Sequence, residues 1–430
     1  MSRGRIYEMK KLLIIALLLF TLFGCRSKEI SDSLNLFSDG LLAVEIDERW
    51  GYVNSKGDVV IQPIYDEASA FDDKIAIVSI GDKMQLIDTK GKSLLPKSYD
   101  TLYKDVESKR FFYEIDEKWG LLDSKGKVLT DALFDRINPF SDGLSLVLVG
   151  EKYGYMDENG KIIVSLIYDD AYSFSEGYAA VMQEDRWGFI DTKGSVYISL
   201  TFLDVYPFDE FGNARVQSAQ NNTWGLINSE SKLLVLKELD SISGEGPIYI
   251  GKLKSDYMLY KADGTRFNTK VYKDAGNIDG YFANLEFEGN DMNFWFNEDG
   301  SVFKSAKYSE SDYWYFNIDS KMIPYFTIYD DKFIDIYLEE STLRFEADEI
   351  IQMTDDDLFI IERNDKYGIL NKNKVIVIEF LYDFIYKTDD NYYIYEIDNK
   401  YGILNSKHQA IVPATYSNIN VNFNIQWLFF

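Results

Sequence analysis

Few residues in this chain of 430 could perform chemistry at a reactive site. His408 is the only histidine and Cys25 is the only cysteine. This composition excludes histidine-based triads, histidine-rich zinc sites and intrachain disulfide bonds. His408 follows Asn405-Ser406-Lys407, where other copies of a repeated phrase carry Lys-Gly. We therefore expect His408 to be a solvated turn residue rather than a general base.

Carboxylates are abundant, and composition alone assigns none of them to a site. The densest group is Asp355-Asp356-Asp357, which offers oxygen atoms to a cation. Three consecutive acids alternate between the faces of a strand and lack the spaced ligands and central glycine of a calcium loop, so we expect an exposed turn. The Lys-Gly pairs close hairpins instead of opening helices, which leaves no phosphate-binding loop. The sequence predicts no metal site, no catalytic residue and no cofactor.

The chain has 71 acidic and 45 basic residues, which gives a formal net charge of −26 at pH 7. Removing residues 1–24 takes away four basic residues and one acidic residue and changes this charge to −29. A surface of this sign repels nucleic acid and anionic lipid headgroups. We expect the acidity to serve solubility, with cation binding as the alternative.

The first 24 residues differ in composition from the rest. Four basic residues precede an apolar run from Leu12 to Phe23. About 20 apolar residues are needed to cross a bilayer, so this shorter run predicts a signal peptide rather than a membrane-spanning helix. Met9 opens a more compact version of the same pattern and is an alternative start to Met1.

Leu22-Phe23-Gly24-Cys25 resembles the bacterial lipobox, in which a small residue precedes a cysteine that is lipidated and becomes the new N-terminus. Phe23 is bulkier than the residue usually found at its position. The resemblance implies a lipid on Cys25 and a short polar tether over residues 25–37. An ordinary cleavable signal that contains a cysteine is the alternative.

A short phrase returns along the chain, and most of its copies lie 34 or 35 residues apart. The clearest copies run from Arg49 to Gly57, from Lys118 to Gly126 and from Arg186 to Gly194. This period indicates tandem units, each packing mainly on its neighbours. The residues at the Trp-Gly positions of the regular copies are Trp50, Gly51, Trp119, Gly120, Tyr153, Gly154, Trp187, Gly188, Trp224, Gly225, Tyr367, Gly368, Tyr401 and Gly402.

The copy from Gly177 to Phe208 predicts a meander of short strands. Asp191-Thr192-Lys193-Gly194 has the aspartate and glycine that a type I turn with a bulge prefers. No segment after residue 24 keeps apolar residues at helical spacing for long enough to form a stable helix. Its four extended pieces are Tyr178–Met182, Trp187–Ile190, Ser195–Ile198 and Phe202–Tyr206.

An aromatic residue followed by aspartate also recurs, as in Tyr65-Asp66 and Tyr168-Asp169, with a phenylalanine such as Phe71 a few residues later. We expect these aromatic rings to wedge one unit against the next. The aspartate is expected to accept hydrogen bonds from backbone N–H groups at a turn. The glycine after Trp is expected to lie close to a neighbouring backbone.

Trp50-Gly51, Trp119-Gly120, Trp187-Gly188 and Trp224-Gly225, each followed by Asn or Asp and then Lys, resemble the WG-repeat (KWG) family of bacterial proteins. About eleven units fit between residues 38 and 424. The resemblance implies an all-β repeat array without known catalytic residues, usually on exported or surface-associated proteins. It implies no substrate.

The expected fold is all-β, with tandem WG-type repeats forming short antiparallel meanders. Propeller-like blades are one arrangement, and an open β-solenoid or superhelix is the alternative. The predicted divisions are a signal peptide at 1–24, the tether at 25–37, a regular array at 38–244, degenerate β repeats at 245–355 and C-terminal WG-like repeats at 356–430.

The expected function is that of a non-catalytic lipoprotein of the bacterial cell envelope, which binds or scaffolds an unknown protein or glycan partner. Its membrane contact is the N-terminal lipid, and it does not bind nucleic acid. Repeated tyrosine and tryptophan side chains can stack on sugar rings or anchor a protein. The alternative is an envelope hydrolase that cleaves carbohydrate with two carboxylates about 5 to 10 Å apart.

Lipidation of Cys25 can be tested directly. We expect the intact mass of the protein from a membrane fraction to show a diacyl or triacyl adduct on a chain that begins at Cys25. An unmodified mature chain in the soluble periplasm would contradict the lipoprotein hypothesis.

Overall fold

The computed structural model describes residues 36–275, 282–287, 290–297, 299–307, 314–318, 321–329, 333–338, 341–347, 349–354, 358–388 and 390–420. Over these ranges the chain forms antiparallel β-strands and no helix, which confirms the all-β prediction. Accordingly, no helix in these ranges has the length and apolarity needed to cross a membrane. The signal peptide, Cys25 and Asp355–Asp357 lie outside the described residues.

The described strands follow each other in groups that we call repeats 1 to 11. Repeat 1 contains β1 (Leu41–Ile46), β2 (Arg49–Asn54) and β3 (Val59–Tyr65). Repeat 2 contains β4 (Glu67–Ala68), β5 (Ile75–Ile80) and β6 (Lys83–Asp88). Repeat 3 contains β7 (Thr101–Lys104), β8 (Phe111–Ile115), β9 (Lys118–Leu122) and β10 (Val128–Phe134). Repeat 4 contains β11 (Arg136–Ser141), β12 (Leu144–Val149), β13 (Lys152–Asp157) and β14 (Ile162–Tyr168).

The next repeats continue the same order. Repeat 5 contains β15 (Asp170–Ala171), β16 (Tyr178–Gln183), β17 (Arg186–Asp191) and the start of β18 (Val196–Val205). Repeat 6 contains the end of β18, then β19 (Asn213–Ser218), β20 (Trp224–Asn228) and β21 (Leu233–Leu239). Repeat 7 contains β22 (Ser241–Ser243), β23 (Ile248–Leu253) and β24 (Asp256–Lys261). Repeat 8 contains β25 (Asp274–Ala275), β26 (Phe282–Phe287), β27 (Asn290–Phe296) and β28 (Val302–Lys307).

Three repeats complete the described chain. Repeat 9 contains β29 (Trp314–Ile318), β30 (Lys321–Tyr329), β31 (Phe333–Leu338) and β32 (Ser341–Glu346). Repeat 10 contains β33 (Glu349–Met353), β34 (Leu358–Arg363), β35 (Lys366–Asn371) and β36 (Ile376–Tyr382). Repeat 11 contains β37 (Phe384–Lys387), β38 (Tyr393–Ile397), β39 (Lys400–Leu404) and β40 (Ala410–Tyr416), and β41 (Asn418–Asn420) follows it.

Each repeat is a meander in which consecutive strands pair. The second strand of a repeat is buried on both faces, as in Leu144–Val149, where four successive residues are buried. A sheet covered on both sides favours such continuous apolar runs. The fourth strand alternates between exposed and buried residues over most of its length, as in Ile162–Tyr168, because it is the outer edge of its sheet.

The predicted hairpin turn after the third strand is present. In repeat 5 the Asp191 carboxylate accepts hydrogen bonds from the backbone N–H groups of Lys193 at 3.0 Å and Ser195 at 2.8 Å. Gly194 closes the turn with φ of +80°, a conformation that glycine adopts without strain. The aspartate and the glycine of the repeated phrase therefore serve the local fold.

Strand β18 differs from the expectation, because the two predicted pieces Ser195–Ile198 and Phe202–Tyr206 form one continuous strand. Most other repeats place an aspartate after the aromatic residue, and the chain leaves the strand there. Leu203 takes that position in repeat 5 and offers no carboxylate to a turn. The sheet consequently continues into repeat 6 and has seven strands.

The cores of the array lie between neighbouring repeats. Phe71 of repeat 2 packs on Tyr52 of repeat 1 with ring centroids 4.7 Å apart, and Phe174 packs on Tyr155 in the same way. All four rings are almost fully buried. The predicted aromatic wedge between units is therefore observed at these junctions.

The first and last repeats are also neighbours. Strand β41 pairs antiparallel with β1, where Ala43 lies opposite Asn420. Leu42 and Val44 share a buried cluster with Ile403 of repeat 11. This pairing brings the first and last described repeats together, and the succession of short antiparallel sheets is consistent with both the propeller-like and the solenoid arrangement.

Trp187 tests the packing between repeats 5 and 6, because it is only 7% exposed and belongs to the core cluster at that junction. We expect Trp187→Ala to lower the free energy of unfolding by roughly 3 to 5 kcal/mol, since a cavity replaces the indole ring. Chemical denaturation measures this change. A loss below about 0.5 kcal/mol would contradict a buried role and indicate a surface ring.

Candidate functional site

The Trp-Gly positions of the sequence lie on the third strand of their repeats, counting β41 as the first strand of the sheet of repeat 1. Trp187 and Tyr367 are buried, whereas the other aromatic residues at this position are partly exposed. The strands concerned are β2, β9, β13, β17, β20, β35 and β39. The array thus repeats one environment and does not bring these residues together into one site.

The motif glycines make room for a neighbour. A Cβ added at Gly51, Gly154 or Gly188 would lie 2.5 to 2.6 Å from a carbonyl oxygen of the fourth strand. At Gly120 the obstacle is instead the ring of Tyr113, which lies directly opposite on the second strand. The glycine is therefore required by packing and is not a ligand-binding feature.

The basic residue before the Trp position forms an ion pair with the aspartate of the aromatic–aspartate pair, which lies 17 positions later in the chain. Arg49 pairs with Asp66, and Lys366 pairs with Asp383. The second carboxylate oxygen of Asp66 accepts a hydrogen bond from the backbone N–H of Gly81 at 2.7 Å. The aspartate therefore anchors a turn, as the sequence predicts.

Repeats 7 and 8 show the same contact with its charges exchanged. Asp256 occupies the position of the basic residue, and Lys273 occupies that of the aspartate, with 2.6 Å between Nζ and Oδ1. The exchange keeps the pair intact, so this pair belongs to the repeat architecture. Because its side chains are exposed, we expect it to contribute about 0 to 1 kcal/mol.

Residues that differ from the repeat architecture are therefore the better candidates for a functional site. Arg215 on β19 is one of these residues. It directly precedes the residue opposite the motif glycine. The corresponding residue is apolar in eight other repeats, and Arg215 is 12% exposed at its side chain. The eight residues are Ala43, Ile77, Phe112, Leu146, Ala180, Ile250, Ile360 and Ile394.

Arg215 has two partners. Its guanidinium carbon lies 3.7 Å from the ring centroid of Tyr206, which is cation–π geometry. One of its terminal nitrogens lies 3.1 Å from a carboxylate oxygen of Glu245, whose side chain is 73% exposed. The ring of Tyr206 also contacts Trp224, with centroids 5.7 Å apart.

Repeat 5 presents the same arrangement without the cation. The backbone N–H of Tyr172 donates to the carbonyl of Ala180 at 3.0 Å, just as the N–H of Tyr206 donates to the carbonyl of Arg215 at 2.9 Å. Trp187 contacts Tyr172 with centroids 5.4 Å apart. Tyr172 and Tyr206 are 38% and 39% exposed. We call Tyr172, Asp204, Tyr206, Arg215 and Glu245 the tyrosine–arginine patch.

The electrostatics tie these groups together. Burial raises the pKa of the Tyr172 hydroxyl above its ordinary value, and the carboxylates of Asp204 and Asp170 raise it further. The guanidinium of Arg215 acts in the opposite direction. The charges of Asp170, Asp204 and Arg215 therefore act on the Tyr172 hydroxyl.

A partly buried carboxyl lies beside the patch, at Asp209. The hydroxyl of Tyr249 and the backbone N–H groups of Phe211 and Asn213 donate to this carboxylate. Burial raises the pKa of Asp209 above its ordinary value, although these hydrogen bonds lower it. Because both carboxylate oxygens accept from the fold, Asp209 fits a structural role better than an acid catalyst.

The other candidates of the sequence are dispersed. His408 takes the glycine position of its turn with φ of 59° and contacts the ring of Tyr393. Asp105 and Glu396 are buried acids in repeats 3 and 11, and Asp105 accepts from Ser108 and the Phe140 backbone. Across the described ranges no group of three or more His, Cys, Asp or Glu residues could hold a metal ion.

Sequence reasoning missed the tyrosine–arginine patch, although a signal was available. Aligning the units on the Trp-Gly positions and reading the preceding strand shows Arg215 among apolar residues. Tyr172 and Tyr206 stand at the same position of consecutive units, four residues after the recurring aromatic residues Tyr168 and Phe202. One unit read by itself does not show that Arg215 is unusual, because the difference appears only when the units are compared.

Comparison with known proteins identifies the repeat. A family model described as "WG containing repeat" matches residues 50–83, 119–153, 153–187, 187–222 and 367–401. These five matches cover less than half of the chain and support a WG-repeat family. No curated protein matches the chain.

Solved structures resemble the chain only loosely. A eukaryotic initiation factor is 11% identical with a TM-score of 0.34, over 89% of this chain and 98% of its own. Kluyveromyces lactis Hsv2 is 11% identical with a TM-score of 0.28, over 55% and 96%. Dihydro-heme d1 dehydrogenase NirN is 13% identical with a TM-score of 0.27, over 66% and 74%. Scores this low carry no inference about function.

Arg215 can be tested as a residue that the fold does not require. We expect Arg215→Ile to change the free energy of unfolding by less than about 1 kcal/mol or to raise it, because an apolar residue fits this position in other repeats. Chemical denaturation of the variant measures this. Ile250→Arg is the matched control, since Ile250 is 3% exposed, and it should be strongly destabilising. A loss above about 2 kcal/mol in Arg215→Ile would make Arg215 a structural residue.

Proposed function

We propose that this chain is a non-catalytic binding or scaffolding module of the bacterial cell envelope, held at the membrane by a lipid on Cys25. Its partner is a protein or a glycan, and the tyrosine–arginine patch is the contact site. The observation that carries the proposal is the patch itself. It combines two exposed tyrosine rings with a cation that the repeat does not need.

The residues that recur from repeat to repeat support this proposal, because their roles in the fold exclude them as the residues that recognise a partner. The motif glycines, the ion pair and the wedge phenylalanines all satisfy packing within or between repeats. A module whose regular residues maintain the array leaves recognition to residues that vary between repeats. Tyr172, Tyr206 and Arg215 are such residues.

The aromatic rings are suited to recognition. Each tyrosine is backed by a tryptophan, which limits its rotation and lowers the entropy lost on binding. Tyrosine, tryptophan and arginine are the residue types that dominate binding energy at protein interfaces. A lipid anchor would also raise the local concentration of the module at the membrane.

The alternative is a carbohydrate hydrolase that uses two carboxylates. The described acids favour it less, because Asp209 and Asp105 each accept hydrogen bonds from their own loops and lie in different repeats. Hydrolysis of a polysaccharide panel that disappears in Asp209→Asn would replace the binding proposal with this alternative.

Photocrosslinking in intact cells tests the function. We expect p-benzoylphenylalanine at position 172 to give a discrete adduct that mass spectrometry identifies as a protein or a glycan. The same probe at Tyr197 is the matched control, because Tyr197 belongs to the same repeat and is 41% exposed but lies on the outer strand β18. Absence of an adduct at 172, or the same adducts at both positions, would contradict the proposal.

A further inference from the structure

Two tyrosine rings, those of Tyr178 and Tyr197, stack on each other in repeat 5. Their ring centroids lie 4.3 Å apart, and the ring planes are inclined by 28°. Tyr178 is the first residue of β16 and Tyr197 is the second residue of β18. Strand β17 pairs with both of these strands, so the ring contact joins the second and the fourth strand of the repeat.

The repeat does not require tyrosine at either position. The strand registers equate Tyr178 with Leu144 of repeat 4, and Tyr197 with Ile163. Aliphatic packing therefore satisfies the fold at these positions, and the two phenol groups of repeat 5 are additional. Repeats 1 and 10 also hold aliphatic residues at both positions, namely Leu41 with Val60 and Leu358 with Val377.

The hydroxyl groups of the two tyrosines also lie together. The Tyr197 hydroxyl donates to the backbone carbonyl of Ser229 at 2.5 Å, and its oxygen keeps lone pairs to accept from Tyr178. This hydrogen bond with Tyr197 raises the pKa of the Tyr178 hydroxyl above its ordinary value. The ortho carbons of a phenol flank the carbon that bears the hydroxyl. Stacked rings with adjacent hydroxyls therefore bring the ortho carbons of one ring next to those of the other.

Two other tyrosine pairs of the described residues have a different geometry. Tyr99 and Tyr113 are inclined by 49°, and both rings are buried. Tyr382 and Tyr395 meet edge to face at 66°. Tyr197, in contrast, is 41% exposed. Of these three pairs, the one in repeat 5 combines facing rings with access for a reagent in solution.

We propose that Tyr178 and Tyr197 are a site of oxidative cross-linking, at which one-electron oxidation joins the two rings as dityrosine. Each phenol loses one electron and one proton, which leaves a phenoxyl radical with spin density on its ortho carbons. The two radicals form one carbon–carbon bond between ortho carbons, and the ortho protons then move to the oxygens and restore both phenols. The oxidant is hydrogen peroxide acting through a haem peroxidase, and it takes up the two electrons and two protons to become water.

The bond has a consequence for stability. It closes a loop from residue 178 to residue 197 and fixes β18 to β16 across β17. Closing a loop lowers the conformational entropy of the unfolded chain, as a disulfide bond does. The chain has one cysteine and cannot form an intrachain disulfide. The cross-linked protein should therefore unfold at a higher temperature than the untreated protein.

Limited oxidation of the purified full-length chain with hydrogen peroxide and a haem peroxidase tests the proposal. The expected product is a monomer that shows dityrosine fluorescence and whose intact mass has decreased by two hydrogen atoms. N-acetyltyrosine amide, oxidised in parallel, shows that the reagent couples phenols under the chosen conditions.

Peptide mapping then locates the bond. Trypsin should release residues 162–186 and 194–215 as one linked species. Because each peptide contains a further tyrosine, fragment ions from tandem mass spectrometry must assign the bond to Tyr178 and Tyr197. This assignment on the unsubstituted chain does not depend on whether any variant folds.

Substitutions provide the second test. Tyr178→Phe and Tyr197→Phe each remove one phenol and keep a stacked ring, and we expect each of them to abolish the linked species. Tyr99→Phe is the matched control, because Tyr99 also contacts a tyrosine ring but is buried, and it should leave the yield unchanged.

Four results would overturn the proposal. These are the absence of the linked species while N-acetyltyrosine amide couples, assignment of the bond to other tyrosines, persistence of the linked species in Tyr197→Phe, and cross-linking only between chains, seen as a covalent dimer.

Discussion

Burial of aromatic rings between neighbouring sheets is the interaction on which the rest of the structure depends. A single three- or four-stranded meander of this chain cannot bury both of its faces, so each one needs the sheet on either side. Phe71 against Tyr52 and Phe174 against Tyr155 show how one repeat places a ring into the next. The ion pairs and turn hydrogen bonds orient strands that this packing already holds together.

The same constraint explains which properties could be predicted from the sequence. The period of the Trp-Gly phrase and the turn residues Asp191 and Gly194 predict hairpins, and the all-β fold follows from them. The role of Asp66 at a turn was also predictable, because an aspartate after a strand has few other uses. These features depend either on the chemistry of neighbouring residues or on the similarity of one repeat to another, and a single sequence shows both.

Other properties depend on contacts between distant residues and could not be predicted. Pairing of β41 with β1 joins residues almost 380 positions apart, and no phrase in either strand indicates the other. The continuous strand β18 depends on the absence of an aspartate at Leu203, which is informative only after the normal role of that aspartate is known. The tyrosine–arginine patch depends on which residues of successive repeats face each other, so a motif defined within one unit cannot show it.

Strand β41 has a consequence for the order in which the protein reaches its final form. Strand β41 completes the first sheet and is the last strand of the described residues in chain order, and until it is synthesised β1 keeps an open hydrogen-bonding edge. Contacts of such large sequence separation form late and slowly, and open edges invite pairing with other chains. A growing polypeptide must therefore carry an unfinished first sheet until residue 420 has been added, and any factor that shields this edge would favour correct assembly.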